Sequence, residues 1–194
     1  MSRPIRGRRS ERAAAIVESA ITLPVFLFVI FATLEFGLAF RSYLTLTNTT
    51  REATRFATTL GRDIDADFQL VYGIRGSMTE VRNATVEQII IFEATGPTST
   101  TASGALNACR SGSVAGLCNS YTGAALTTAA SGWGCGTTSP DRFWCPNTRK
   151  VALADPPDYV GIYIRVRHQG LTGAIGMTKT FEDEVVMRME ATSS

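Results

Sequence analysis

Histidine is almost absent, with His168 the only one in 194 residues. That scarcity rules out a histidine-rich metal centre and leaves imidazole base chemistry a single candidate. His168 ends an alternating segment, on the same parity as its apolar residues, which is the position of a packing or edge residue. An HExxH helix, a Gly-rich phosphate loop and a Ser or Cys nucleophile motif are also missing, so no enzyme class is supported and no cofactor is implied. The formal net charge is only +2, too small an excess to suggest nucleic-acid binding. Asp63, Asp65 and Asp67 alternate but lack the Gly and distal Glu of a calcium loop, so they read as capping or solvated charge. NTT at Asn48 and NAT at Asn83 match a glycosylation pattern too short to be informative. No internal repeat is visible.

Charge is also missing from Ser19 to Leu34, a run of 16 residues. Extended over Glu35 to Phe40 the run reaches 22 residues with one carboxylate inside, long enough to cross a bilayer, which takes about 20. Leu, Ile, Val and Phe dominate it, no polar stripe recurs at helical spacing, and Pro24 is a breaker that membrane helices tolerate. A soluble core helix fits poorly for that reason. A cleaved secretory signal fits poorly too: the run exceeds the usual ~7–15-residue signal core, and no clear small-x-small site follows.

Arg3, Arg6, Arg8, Arg9 and Arg12 precede the run, with Glu11 the one acid among them. Basic residues beside a span stay in the cytoplasm, so the N-terminus is expected inside and the chain after about residue 41 outside, although Arg41, Arg51 and Arg55 oppose this vote. The same arginines suit acidic lipid headgroups. Glu18 and Glu35 flank the apolar core 17 positions apart, about 26 Å along a helix. Glu35 reads as an acid at the outer interface near Arg41.

The four cysteines, Cys109, Cys118, Cys135 and Cys145, all fall on the expected outer side. An even number in an oxidising compartment reads as two disulfides, and the close C-x2-C pairs of a zinc site are absent. Three pairings are possible. Cys109 with Cys118 and Cys135 with Cys145 is favoured, because local loops close at little entropic cost.

Beyond the span, Leu46, Ala53, Phe56, Ala57 and Leu60 continue helical periodicity to a stop at Gly61, giving one helix over about 13–60. DIDADFQLVYGIRGSM predicts a short helix capped by Asp63 or Asp65, with Phe68, Leu70, Val71 and Ile74 as its apolar residues. The β-branched run of 85–94 predicts a buried strand. Thr, Ser, Gly and Ala dominate about 96–147, which reads as a surface insertion stapled by the disulfides. Its Trp133, Phe143 and Trp144 either pack it onto the domain or form an exposed adhesive patch. DPPD marks a turn, YVGIYIRVRHQ is a strand with Val160, Ile162, Ile164 and Val166 on its buried face, GLTGAIG is a connection, and a last strand is expected at about 184–191.

RRSERAAAIVESAITLPVFLFVIFATLEFG resembles the start of the TadE-like family, pilin-related proteins of tight-adherence (Flp-type) pilus systems. Val17, Glu18, Ala20, Leu23, Pro24, Glu35, Phe36 and Gly37 carry the likeness. Arg51, Glu52, Ala53, Arg55 and Ala57 extend it, while Ser19 replaces the usual aromatic. The segments read above give an α+β protein, a helix laid on a small, mostly antiparallel sheet with a disulfide-stapled loop; the resemblance makes it a long N-terminal transmembrane helix continuing into an exported pilin-like domain. The segments are then a basic leader (1–13), a span (14–40) and an extracytoplasmic domain (41–194).

The resemblance also implies a prepilin peptidase that cuts after a small residue and leaves Glu fifth in the mature chain. Counting back from Glu18 puts that cut between Ala13 and Ala14, with Ala13 in place of the usual Gly. The new amine at Ala14 would be a cation that Glu18, of the same or a neighbouring subunit, can neutralise. The implied partners are other pilins of the system, an inner-membrane assembly platform, the peptidase and membrane lipid. A different reading is a single-span surface protein that binds a ligand through its Cys-containing loop and joins no filament.

Overall fold

The computed structural model describes residues 6–81, 83–94, 96, 99–151, 157–170 and 178–190. The start of the basic leader, the first half of DPPD and all but the first residue of GLTGAIG lie outside them.

A continuous helix, α1 (Arg6–Leu60), runs for 55 residues straight through Pro24. Residues 12–31 of it are exposed along their whole length. From Ser42 onward one face is buried, formed by Ser42, Leu46, Thr50, Ala53, Thr54 and Ala57. Small side chains let the sheet approach closely, and the hydroxyls bond to their own helix: Ser42 to the Leu38 carbonyl (3.1 Å), Thr50 to Leu46 (2.9 Å) and Thr54 to Thr50 (2.7 Å). Polar residues are buried there without an unmet hydrogen bond. Phe56, expected on the buried face, is half exposed, because at 100° per residue it falls beside the Ala53–Ala57 line.

The second helix, α2 (Ala66–Thr79), buries Leu70, Val71 and Ile74 as expected. Neither Asp63 nor Asp65 caps it through its side chain. Asp63 Oδ1 accepts from the Asp65 amide instead (2.9 Å), and Asp65 makes no side-chain cap bond. Asp67 is not a solvated charge either, since it lies one turn before Leu70 and Val71 on the buried face and is fully enclosed.

Four antiparallel strands follow: β1 (Ala84–Ala94), β2 (Cys118–Thr122), β3 (Tyr159–Gln169) and β4 (Thr178–Arg188), in the order β2-β1-β3-β4. The last strand begins about six residues earlier than the sequence pattern indicates. The polar segment TKT, without an apolar alternation of its own, is recruited by pairing with Arg167, His168 and Gln169. One face of the sheet packs Ile89, Ile91, Val160, Ile162, Ile164 and Val166 against α1 and α2.

The other face is covered in part by α3 (Ser99–Cys109), which seals Leu106 against Ile90, Phe92 and Tyr163. The outward face of β3 is therefore wet only toward its end, at Arg165 and Arg167. The segment read as a surface insertion supplies both α3 and the outer strand β2. Its pairing with β1 and the burial of Tyr121, Leu126, Trp133 and Trp144 make it part of the core. The disulfides are Cys109–Cys118, tying α3 to β2, and Cys135–Cys145, the pairing favoured by loop closure.

Candidate functional site

The chemistry-bearing residues singled out from the sequence fall into two separate places. Ala13, Ala14 and Glu18 lie on the free part of α1, all exposed, and Ala14 and Glu18 are four residues apart and so share a helix face. The cysteines are far along the chain in the domain. No described contact joins the two groups.

Between Ile16 and Phe40 the helix presents apolar side chains in every direction, among them Ile21, Phe26, Phe28, Phe36 and Phe40, each more than half exposed. The hydroxyls of Thr22 and Thr33 are satisfied internally, bonding to the carbonyls of Glu18 (2.9 Å) and Val29 (2.8 Å). Such a surface suits hydrocarbon, where every polar group must find its partner within the helix or in another helix. It is the single helix among the described residues long and apolar enough to cross a membrane.

Glu35 differs sharply from Glu18. It is 4% exposed and packs against Gly170 at the end of β3, where a Cβ on residue 170 would fall 2.6 Å from Glu35 Oε2. Two turns further on, Ser42 Oγ lies 2.9 Å from Nδ1 of the buried His168. Glu35 and Ser42 thus seat the helix on the sheet at the point where the apolar span ends. This clasp was not legible as such: Glu35 read as an interfacial acid near Arg41, and His168 as packing. The available signal was the seven-residue spacing of Glu35 and Ser42, which puts both on one helix face.

On the far side of the sheet, Arg110 and Arg165 converge on Glu182 (both 2.9 Å) and on the Tyr163 hydroxyl (2.9 and 3.1 Å). Burial alone would raise the Glu182 carboxyl, but the hydrogen bonds from Arg110, Tyr163 and Arg165 hold it below the ordinary value. Burial pushes the Tyr163 phenol up. The cluster ties α3 to β3 and β4. Among the described residues, no group of three or more His, Cys, Asp or Glu is arranged to hold a metal.

A lone apolar helix that continues without a break into a domain helix lying on an antiparallel sheet fits a membrane-anchored, pilin-like protein. Residues 13–55 are similar to the family model described as TadE-like protein. The matched stretch contains Ala13, Ala14, Glu18, Glu35 and Ser42, and supports a pilus-related component of tight-adherence systems. No curated protein and no solved structure matches the chain.

Proposed function

We propose that the protein is a minor pilin or assembly component of a bacterial tight-adherence pilus, inserted with its N-terminus in the cytoplasm and its domain outside, and acting by helix-mediated assembly rather than catalysis. The observation that carries this reading is the contrast between Glu18 and Glu35, the two acids of α1 that flank its apolar run. Glu35 is used up inside the protein's own fold, whereas Glu18 stands exposed on an apolar helix that its own domain leaves bare. An isolated carboxylate at such a place is costly in a bilayer, and intramembrane acids persist where a partner neutralises them.

The amine released at Ala14 by a prepilin peptidase would be that partner, within one subunit or between neighbours, and would set the register in which helices pack. Other pilins and the inner-membrane platform are the surfaces against which the bare helix would assemble. The alternative, ligand binding through the Cys-containing loop, draws little support from Trp133 and Trp144, which are buried rather than offered to a ligand.

Glu18→Ala tests the assignment in cells. The variant should remain in the membrane fraction at normal abundance while pili are lost. Pili formed at wild-type levels would overturn it. Sequencing of the mature protein is expected to begin at Ala14, and a chain beginning at Met1 or Ser2 would remove the peptidase from the scheme.

A further inference from the structure

At the foot of the domain, between α1 and the β3–β4 pair, lies a cavity of about 260 Å³. Its walls come from Phe36, Ala39, Phe40 and Tyr43 of the helix and Phe181 of β4, with the polar side chains of Glu35, His168 and Lys179 also lining it. The wall is almost entirely apolar, and Tyr43 and Phe181 stand ring to ring at 5.9 Å. Phe36 and Phe40, each 61% exposed, belong both to this wall and to the apolar surface of the span. The cavity is therefore continuous with the surface that the bilayer covers.

Its depth in the membrane follows from the sequence. Ser19 to Phe40 is 22 residues, about 33 Å of helix, close to the ~30 Å thickness of the hydrocarbon layer. Phe36 then lies inside the outer leaflet, and Tyr43 among its headgroups. Lys179 is the register partner of His168, which meets Ser42, so its ammonium stands at headgroup level. It is exposed, in a position to meet a phosphate directly above an acyl chain. The volume is just below that of small-molecule sites, roughly 300–1,000 Å³, and suits a stretch of one chain rather than a whole compact ligand.

We infer that this cavity takes an acyl chain of an outer-leaflet anionic phospholipid whose phosphate pairs with Lys179, so that a lipid wedges the domain against its own anchor. The inference rests on the bilayer reading of α1 and on the orientation proposed above, but not on pilus assembly.

The full-length protein is reconstituted in vesicles of phosphatidylethanolamine and phosphatidylglycerol carrying a trace of phosphatidylglycerol with a photoactivatable acyl chain. Peptides labelled on irradiation are then mapped. Label is expected on Lys179–Phe181 as well as on Phe36–Tyr43. Ala39→Trp fills the cavity and should cut the label on Lys179–Phe181 at least five-fold while leaving that on Val25–Ile30 unchanged. Lys179→Glu, an exposed substitution that spares the fold, should remove the preference for the phosphatidylglycerol probe over its phosphatidylethanolamine counterpart. Unchanged labelling in Ala39→Trp, or a crosslink joining Phe181 to a second copy of the chain as the main product, would overturn the proposal. Flotation with the vesicles is scored separately, and protein left at the bottom of the gradient would refute the anchor itself and the proposal with it.

Discussion

Arg149 Nη2 stands 2.6 Å from Asp67 Oδ1, and both side chains are wholly shielded from solvent. The Tyr121 hydroxyl (2.6 Å) and Asn119 Nδ2 (2.9 Å) donate to the other carboxylate oxygen, while the guanidinium lies 4.3 Å over the Trp144 ring. Burial and the neighbouring Asp67 carboxylate keep the Tyr121 phenol neutral far above its ordinary range. The pair fastens the end of the disulfide-bearing segment onto α2. Asp67→Ala leaves a cation stranded in the core and should cost about 3–5 kcal/mol, read as a fall of roughly 10 °C in the thermal midpoint. Replacing both partners with apolar residues, as in Asp67→Leu with Arg149→Met, should cost less than the sum of the single variants. Additive losses would show that the two side chains act independently.

Gly161 lies opposite Phe92 in the β1–β3 register, and a methyl group there would overlap the Phe92 ring. The ring lies across the glycine and fills the place of its missing side chain. Gly161→Ala should destabilise the domain by about 1–3 kcal/mol, the usual cost of overpacking. Phe92→Leu combined with it should recover part of that loss. Urea midpoints of the two single variants and the double variant decide the matter, and a double variant as unstable as the sum of the singles would refute the proposed contact.

Elements with strong periodicity were legible in the sequence. The apolar run and its amphipathic continuation predicted α1, and the β-branched runs predicted β1 and β3, because each repeats a single physical demand over many residues. The Asp67–Arg149 pair was not legible, since its members are 82 positions apart and neither carries a local signature. Asp67 was recoverable in part: it precedes Leu70, Val71 and Ile74 by three, four and seven, which put it on the buried face of α2. The segment 96–147 misled for the opposite reason. Its small polar residues look unable to bury anything, yet β2 gains its place by backbone pairing with β1, which composition does not record. At the candidate site, Glu18 stood out as an acid in an apolar run, whereas the seating of Glu35 against Gly170 depends on a strand more than 130 residues downstream.

The two disulfides are expected to stabilise different parts. Each closes a loop of about ten residues, for which the chain-entropy model gives about 2–3 kcal/mol. Cys109→Ser with Cys118→Ser should loosen α3 and expose Leu106 and Phe92, so limited proteolysis should cut first between 110 and 117. Cys135→Ser with Cys145→Ser should free the loop that carries Trp133 and Trp144, shifting tryptophan emission to the red with β3 and β4 intact. Identical cleavage patterns in the two variants would mean that the segment unfolds as one unit.

Asp183 gives a pH dependence whose sign is fixed. On β4 it pairs with Ile164 and so faces α1, where Thr50 and Arg51 approach it, and its Oδ2 is buried with no hydrogen-bond partner among the described residues. Burial raises its carboxyl above the ordinary 3.8, outweighing the opposing pull of Thr50, Arg51 and the Glu184 amide. The native protein therefore holds this proton more tightly than the unfolded chain does. The stabilisation from protonation is complete below 3.8 and is lost as pH rises through the native value. Asp183→Asn removes the charge and with it that loss, so the variant should be more stable than the wild type at pH 7. Glu182 titrates in the opposite sense, but it is common to both proteins and drops out of their difference. Urea midpoints at half-unit steps from pH 3.5 to 7 should show the gap opening as pH rises; a gap of constant size would mean that packing at residue 183, and not its charge, sets the difference.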